Sequence, residues 1–280
     1  MSVCRNFLPR FCYHEILSVA GNCRMCLVEV EKAPKPVVGC ATPITNNVSI
    51  YTDSPLVKKA RENVIELLLL NHPLDCPICD QAGECDLQEQ TKKFGSDLSR
   101  FLKKKRVVED KNFGITIKTI MTRCIHCTRC VRFSDEISGS FVFGTLNRGN
   151  STEISSYKTN IFNSEISANI IDLCPVGALT SKQYSFKARP WEIKTQETID
   201  CNDSLGSQII VSTKETEIVR IQPKLNNAII TDKTRYVFDS LNKNRIKKIF
   251  VKNENYELLN IDTFKDKVKS IINTSDNLKK

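Results

Sequence analysis

Cysteine spacing is what most narrows the folds open to this chain. Of thirteen cysteines in 280 residues, twelve lie within the first 174, several of them at C-x2-C spacing. Thiols bunched this way either cross-link in an oxidising compartment or hold metal in a reducing one. The opening "MSVCRNFLPRFCYHE" has neither the apolar core of a secretory signal nor the Arg/Ser-rich pattern of a transit peptide. Metal in a reducing compartment is therefore expected, in a chain that is bacterial, organelle-encoded or already processed.

The length suits two or three compact domains, and no run of eighteen apolar residues is present, the longest candidate being "VIELLLL". Formal charge is +9, which raises nucleic acid as a partner. The basic residues are scattered, however. The one dense run, "KKKR" at 103–106, falls in an expected linker and has no aromatic platform interleaved with it.

Residues 1–52 read as a loop-rich domain with strands at "CLVEVEK" and "KPVVGCATPI". "DSPLVKKARENVIELLLLNH" predicts a helix capped by Ser54, with Pro55 at its first position and an apolar stripe of Leu56, Ala60, Val64 and Leu67. A short helix over 85–95 is closed by Gly95, and a polar connector follows to about residue 112. "ITIKTIMTRCIHCTRCVRFSDEISG" predicts a strand, a cysteine loop and a helix stopped at Gly139, and "SEISANIIDLCPVGALTSK" another helix and cysteine loop. The last third is a different module, with a hairpin over 207–223 and a helix over 262–273.

The cysteines form three groups. Cys12, Cys23, Cys26 and Cys40 are spaced C-x10-C-x2-C-x13-C, which fits the logic of a [2Fe-2S] site but not the plant-type fingerprint, so zinc stays open. Cys124, Cys127, Cys130 and Cys174, the last followed by Pro175, follow the bacterial ferredoxin arrangement for one [4Fe-4S] cluster. His126 lies inside that triplet but is expected not to ligate, because four cysteines complete the site. Cys76, Cys79 and Cys85 lack a fourth donor. Cys4 and Cys201 are isolated, whereas His72 lies on the same loop. Spacing leaves His72 open between a cluster ligand, a helix cap and a zinc ligand.

The segments "RFCYHEILSVAGNCRMCLVEVEKAPKPVVGC", "NHPLDCPICDQAGECDLQ", "VEDKNFGITIKTIMTRCIHCTRCVRF" and "NIIDLCPVGALTSK" together resemble the large iron-sulfur subunits of respiratory complex I, from about residue 8 to the end. The resemblance implies an α+β chain in four parts. These are a β-grasp [2Fe-2S] ferredoxin-like domain at 1–52, a helical [4Fe-4S] domain with histidine and cysteine ligands at 53–112, a bacterial-ferredoxin-like [4Fe-4S] domain at 113–188, and the β-rich start of a molybdopterin-oxidoreductase-like domain at 189–280. It implies one [2Fe-2S] cluster on Cys12, Cys23, Cys26 and Cys40. It implies two [4Fe-4S] clusters, one on His72, Cys76, Cys79 and Cys85 and the other on Cys124, Cys127, Cys130 and Cys174. Single electrons would pass from a partner NADH/FMN-binding subunit toward subunits carrying the onward clusters and ubiquinone. The chain would have no catalytic residue and no NADH or quinone site of its own. The implied place is the matrix side of the mitochondrial inner membrane, or the cytoplasmic side of a bacterial plasma membrane, reached only through partners.

Three departures stand out. About seven residues precede "FLPRFCYHE", too few for the first hairpin of such a domain, so a separate chain is expected to supply it. The chain ends as the large domain starts, so a separate chain is expected for that as well, unless it is lost. Where some bacterial relatives carry a further cluster, "TIDCNDSLGSQI" offers Cys201 alone, and no cluster is expected there. The rivals are the electron-transfer module of an iron-only or NAD-reducing hydrogenase and, more remotely, a zinc-binding nucleic-acid module. Arg24, Arg123, Arg129 and Arg132 are expected to offset the negative charge of the clusters, with at least half of them also pairing with carboxylates.

Overall fold

The computed structural model describes residues 8–156, 161–224, 229–241, 243, 249–252 and 256–277. Its residues divide into two compact units, Met1–Tyr236 and Val237–Lys280. All twelve candidate ligands belong to the first, and Cys4 lies outside the described residues.

The first unit opens with a small antiparallel sheet in the order β2-β1-β3, made of β1 (Leu27–Val30), β2 (Val37–Val38) and β3 (Ile50–Tyr51). Helix α1 (Pro55–Leu69) packs on it, and the Ser54 hydroxyl accepts a hydrogen bond from Val57 N at 3.3 Å, as the sequence predicts. Its buried stripe differs from the expected one. Val57, Arg61 and Ile65 face inward, while Leu56 and Leu67 are exposed. The rotation works because Arg61 is satisfied inside: Nη2 donates to Leu27 O at 3.2 Å and the guanidinium stacks on Phe94 at 5.4 Å. Helix α2 (Asp86–Phe94) closes at Gly95 by close approach, not by a left-handed residue. A Cβ there would stand 2.6 Å from Thr91 O.

Residues 105–122 are more than a connector. Val108 is buried, Val108 N donates to Thr122 Oγ1, Lys111 N donates to Thr119 Oγ1, and Asp110 Oδ1 accepts from Met121 N. They run beside β4 (Ile117–Thr119) through side-chain bonds that no backbone periodicity announces. The third cysteine loop leads into α3 (Arg129–Arg132), a single wider turn over Phe133–Ile137, and Gly139 at φ +63°. A hairpin of β5 (Phe143–Leu146) and β6 (Glu153–Ser156), absent from the sequence reading, covers this part. Then come α4 (Asn169–Leu173) and β7 (Leu179–Ser181), the latter pairing antiparallel with β4. Phe113, Phe133, Phe143 and Phe162 fill the core between them, with ring centroids 4.3 to 6.5 Å apart.

Strands β8 (Lys194–Ile199), β9 (Gln208–Lys214) and β10 (Glu217–Pro223) form an antiparallel sheet, followed by α5 (Asp232–Tyr236). This sheet belongs to the first unit. Ion pairs tie it to the cysteine-bearing part: Arg220 grips Glu84 with both arms at 2.6 and 2.7 Å, and Arg235 reaches Asp172 at 2.6 Å. The second unit holds the hairpin β11 (Ile249–Lys252) and β12 (Tyr256–Leu259), then α6 (Ile261–Asn277). No helix among the described residues is long and apolar enough to cross a membrane.

Candidate metal centres

The three groups converge on one apolar cluster. Cys12 of the first, Cys85 of the second and Cys127 of the third are buried together with Phe11, Met25, Ile65, Leu87 and Val176. None of the twelve described cysteines is in a disulfide.

In the first group the Cys12 and Cys23 thiols are hydrogen-bonded to each other, as are those of Cys26 and Cys40. The bond from Cys23 holds the Cys12 thiol down to about 5 and pushes that of Cys23 up. Burial, then Cys26, pushes Cys40 up to about 12. Gly39 lets the turn carrying Cys40 close onto the Cys26 carbonyl, since a Cβ there would lie 3.0 Å from that oxygen and 2.8 Å from Leu8.

In the second group Cys79 and Cys85 are buried and Cys76 is exposed. His72 sits past the end of α1 without capping it, because Lys105 Nζ is the cap and donates to both Leu69 O and His72 O at 2.8 Å. Burial, then the charges of Lys105 and Arg123, lowers the imidazole to about 4, so it is neutral at pH 7. Its Nδ1 is buried without a partner, leaving a ring nitrogen free. Asp80 anchors the loop by accepting from Lys118 Nζ (3.1 Å), Ser185 Oγ (3.0 Å) and Phe186 N (2.7 Å). Arg189 donates to the carbonyls of Cys79 and Pro77. Gly177 faces the Cys79 sulfur so closely that a Cβ would lie 2.1 Å from it.

In the third group Cys124, Cys127, Cys130 and Cys174 line one cavity with Met121, Ile125 and Leu179. Burial raises all four thiols, Cys174 to about 12. Left-handed backbone at His126 (φ 54°) and Thr128 (φ 60°) turns amide N–H groups back onto sulfur, His126 N lying 3.4 Å from Cys124 Sγ. His126 thus serves through its backbone. Amides of Val176 and Leu179 do the same for Cys174, and those of Leu87 and Gln88 for Cys85.

These features fit thiolate-bound iron-sulfur groups. Amide donors favour the anionic sulfur, metal would replace the protons that burial retains, and a free ring nitrogen is available where the second group lacks a fourth donor.

Of the four arginines, Arg123 pairs with Asp75 at 3.0 Å. Arg129 and Arg132 instead donate to carbonyls: Arg129 to Leu173 and Tyr13, and Arg132 to Cys12 (2.6 Å) and Cys127 (3.2 Å). Burial beside cysteine loops, whose carbonyls need donors, outweighs carboxylate pairing there. Sequence reasoning missed Lys105, Gly177 and Asn22, whose Nδ2 ties the first loop to His126 O at 3.1 Å. The only signal for Lys105 was the basic run.

Four family models match. They are a "2Fe-2S iron-sulfur cluster binding domain" (4–55), an "NADH-ubiquinone oxidoreductase-G iron-sulfur binding region" (61–100), an "NADH-quinone oxidoreductase subunit 3, ferredoxin-like domain" (114–180) and an "NADH-ubiquinone oxidoreductase NDSU1/NuoG-like, 4Fe-4S domain" (193–239). The last segment holds Cys201 and no other cysteine or histidine, so its donors do not fit a cluster. The chain accordingly binds one [2Fe-2S] and two [4Fe-4S] clusters.

The crystal structure of an NAD+-reducing [NiFe]-hydrogenase in the H2-reduced state shares the fold at TM-score 0.56 and 24% identity, over 65% of this chain and 79% of that one. The NADH-ubiquinone oxidoreductase 75 kDa subunit of Reclinomonas americana is 59% identical over 249 residues, 88% of this chain and 36% of the relative. The mitochondrial NADH dehydrogenase [ubiquinone] iron-sulfur protein 1 of Solanum tuberosum is 57% identical over 85% of this chain and 33% of its own length. The mitochondrial 78 kDa subunit of Candida albicans is 54% identical over 88% and 35%. The chain spans about a third of these relatives. Over those matched residues its close relatives are the 75/78 kDa iron-sulfur subunits of NADH-ubiquinone oxidoreductase.

Proposed function

We propose that the chain relays single electrons within NADH:ubiquinone oxidoreductase, between an NADH/FMN-binding partner and subunits that pass electrons on to ubiquinone. Cys12, Cys23, Cys26 and Cys40 hold the [2Fe-2S] cluster. His72, Cys76, Cys79 and Cys85 hold one [4Fe-4S] cluster, and Cys124, Cys127, Cys130 and Cys174 hold the other. The observation that carries this reading is the single buried apolar cluster shared by Cys12, Cys85 and Cys127, which brings the three groups within one water-poor core. Bound there, the clusters supply one-electron carriers, and the protein adds no acid, base or nucleophile.

The chain's own part is positioning and tuning. Loop glycines and left-handed residues aim amides at the sulfurs, Arg132 ties a first-group carbonyl to a third-group one, and the apolar surround excludes water. The same reading divides the cluster-bearing part into β-grasp, histidine-helical and bacterial-ferredoxin-like domains at 1–52, 53–112 and 113–188. It puts the chain at the matrix face of the mitochondrial inner membrane, held by partner subunits, and the names of the potato and Candida relatives support that location.

EPR of the reduced, purified assembly together with metal analysis tests the reading. The expected result is one binuclear and two tetranuclear signals with about ten irons per chain. Zinc in place of iron overturns it.

A further inference from the structure

Two buried polar atoms around the second group lack partners. One is His72 Nδ1 and the other is Arg123 Nη1. Arg123 ends the turn Met121–Arg123 just before Cys124, so its backbone belongs to the third group while its side chain crosses to the second. Nε donates to Asp75 at 3.0 Å, beside Cys76. Cδ lies 3.8 Å from the point where a Gly177 side chain would begin, a point 2.1 Å from Cys79 Sγ. The arginine is 2% exposed, and its one carboxylate partner occupies Nε alone.

A buried guanidinium with an unspent N–H is costly unless something accepts from it. Nothing in the described protein around Nη1 does so. An iron-sulfur group would meet both needs at once, with His72 as a ligand and Arg123 Nη1 as a hydrogen-bond donor to it. The competing arrangement is a water molecule bridging the two atoms.

We propose that Arg123 donates Nη1 to the tetranuclear cluster held by His72, Cys76, Cys79 and Cys85 and raises that cluster's reduction potential. The inference rests on the proposed ligand role of His72. Its sign follows from charge: a fixed cation in a dry site stabilises the more negative, reduced cluster over the oxidised one. The third group is expected to feel the charge less, because there Arg123 contributes only main chain and the charged end points toward Asp75.

The test is a redox titration followed by EPR on the assembled complex carrying Arg123→Gln. The second group's signal is expected to titrate at a more negative potential, with the other two moved less. Asp75→Asn, which leaves Arg123 without its counter-charge, is expected to move the same signal the other way. An unmoved signal in Arg123→Gln overturns the proposal, as does an equal shift of all three. Should that variant fail to assemble, Arg123→Lys keeps the charge but cannot extend Nη1. A smaller negative shift then supports the proposal and none overturns it. Histidine nitrogen coupling in the unmodified complex tests the premise separately. Its absence removes the ligand reading, whereas its presence with no shift in the variants removes only the role of Arg123.

Discussion

Gly177 shows how one missing methyl group makes room for a thiolate. Gly177→Ala would drive a carbon into the Cys79 sulfur, which the surrounding loop cannot escape while Asp80 and Arg189 pin it. Overpacking of this kind costs about 1–3 kcal/mol, and the expected readout is loss of one tetranuclear signal and of about four irons per chain. A full iron complement in the variant would show that Cys79 is not a ligand. His72→Ala is expected to disturb the same cluster and spare the other two, as iron content and EPR would register. Spacing placed His72 beside three cysteines but left cap and ligand equal, because the competing cap is Lys105, 33 residues away. Contacts that distant leave no trace in local pattern.

Helix α1 is the clearest case of an element whose existence was legible and whose facing was not. Ser54 and Pro55 mark its start in the sequence and in the structure. Its inward face turned on Arg61, a residue that periodicity counts as polar, yet one that Leu27 O and the Phe94 ring draw inside. Ser54→Ala is expected to lower the stability of the first unit by about 1 kcal/mol, visible as a lower Tm with unchanged cluster signals. Helix α3 behaves differently, because its arginines staple loops to one another. Arg132→Met frees the carbonyls of Cys12 and Cys127, and faster loss of the binuclear signal under mild chelation is expected. Strands β5 and β6 escaped the sequence reading because they are short and joined through "NRGNST", a link without a two-residue hairpin signature.

Across the whole molecule the cluster-bearing part is one unit, and excision of residues 237–280 is expected to leave iron per chain unchanged. Iron removal should expose a pH dependence. Burial pushes the thiols of Cys85 and Cys174 up to about 11 and 12 from an ordinary 9.0. Between pH 9 and 12 the folded iron-free chain therefore holds more protons than the unfolded one, so its stability falls as pH rises through that window and is unaffected by these groups below it. Denaturant melts of the iron-free protein at pH 8 and 10.5 would show the difference. The ties that unify the fold are long in sequence: Arg220 reaches back 136 residues to Glu84. During synthesis at about 5–20 residues per second, the second cysteine loop waits roughly 7–27 s for that clasp. The nascent chain therefore has an interval in which Cys76, Cys79 and Cys85 are already made while the clasp that fixes Glu84 beside Cys85 is still to come.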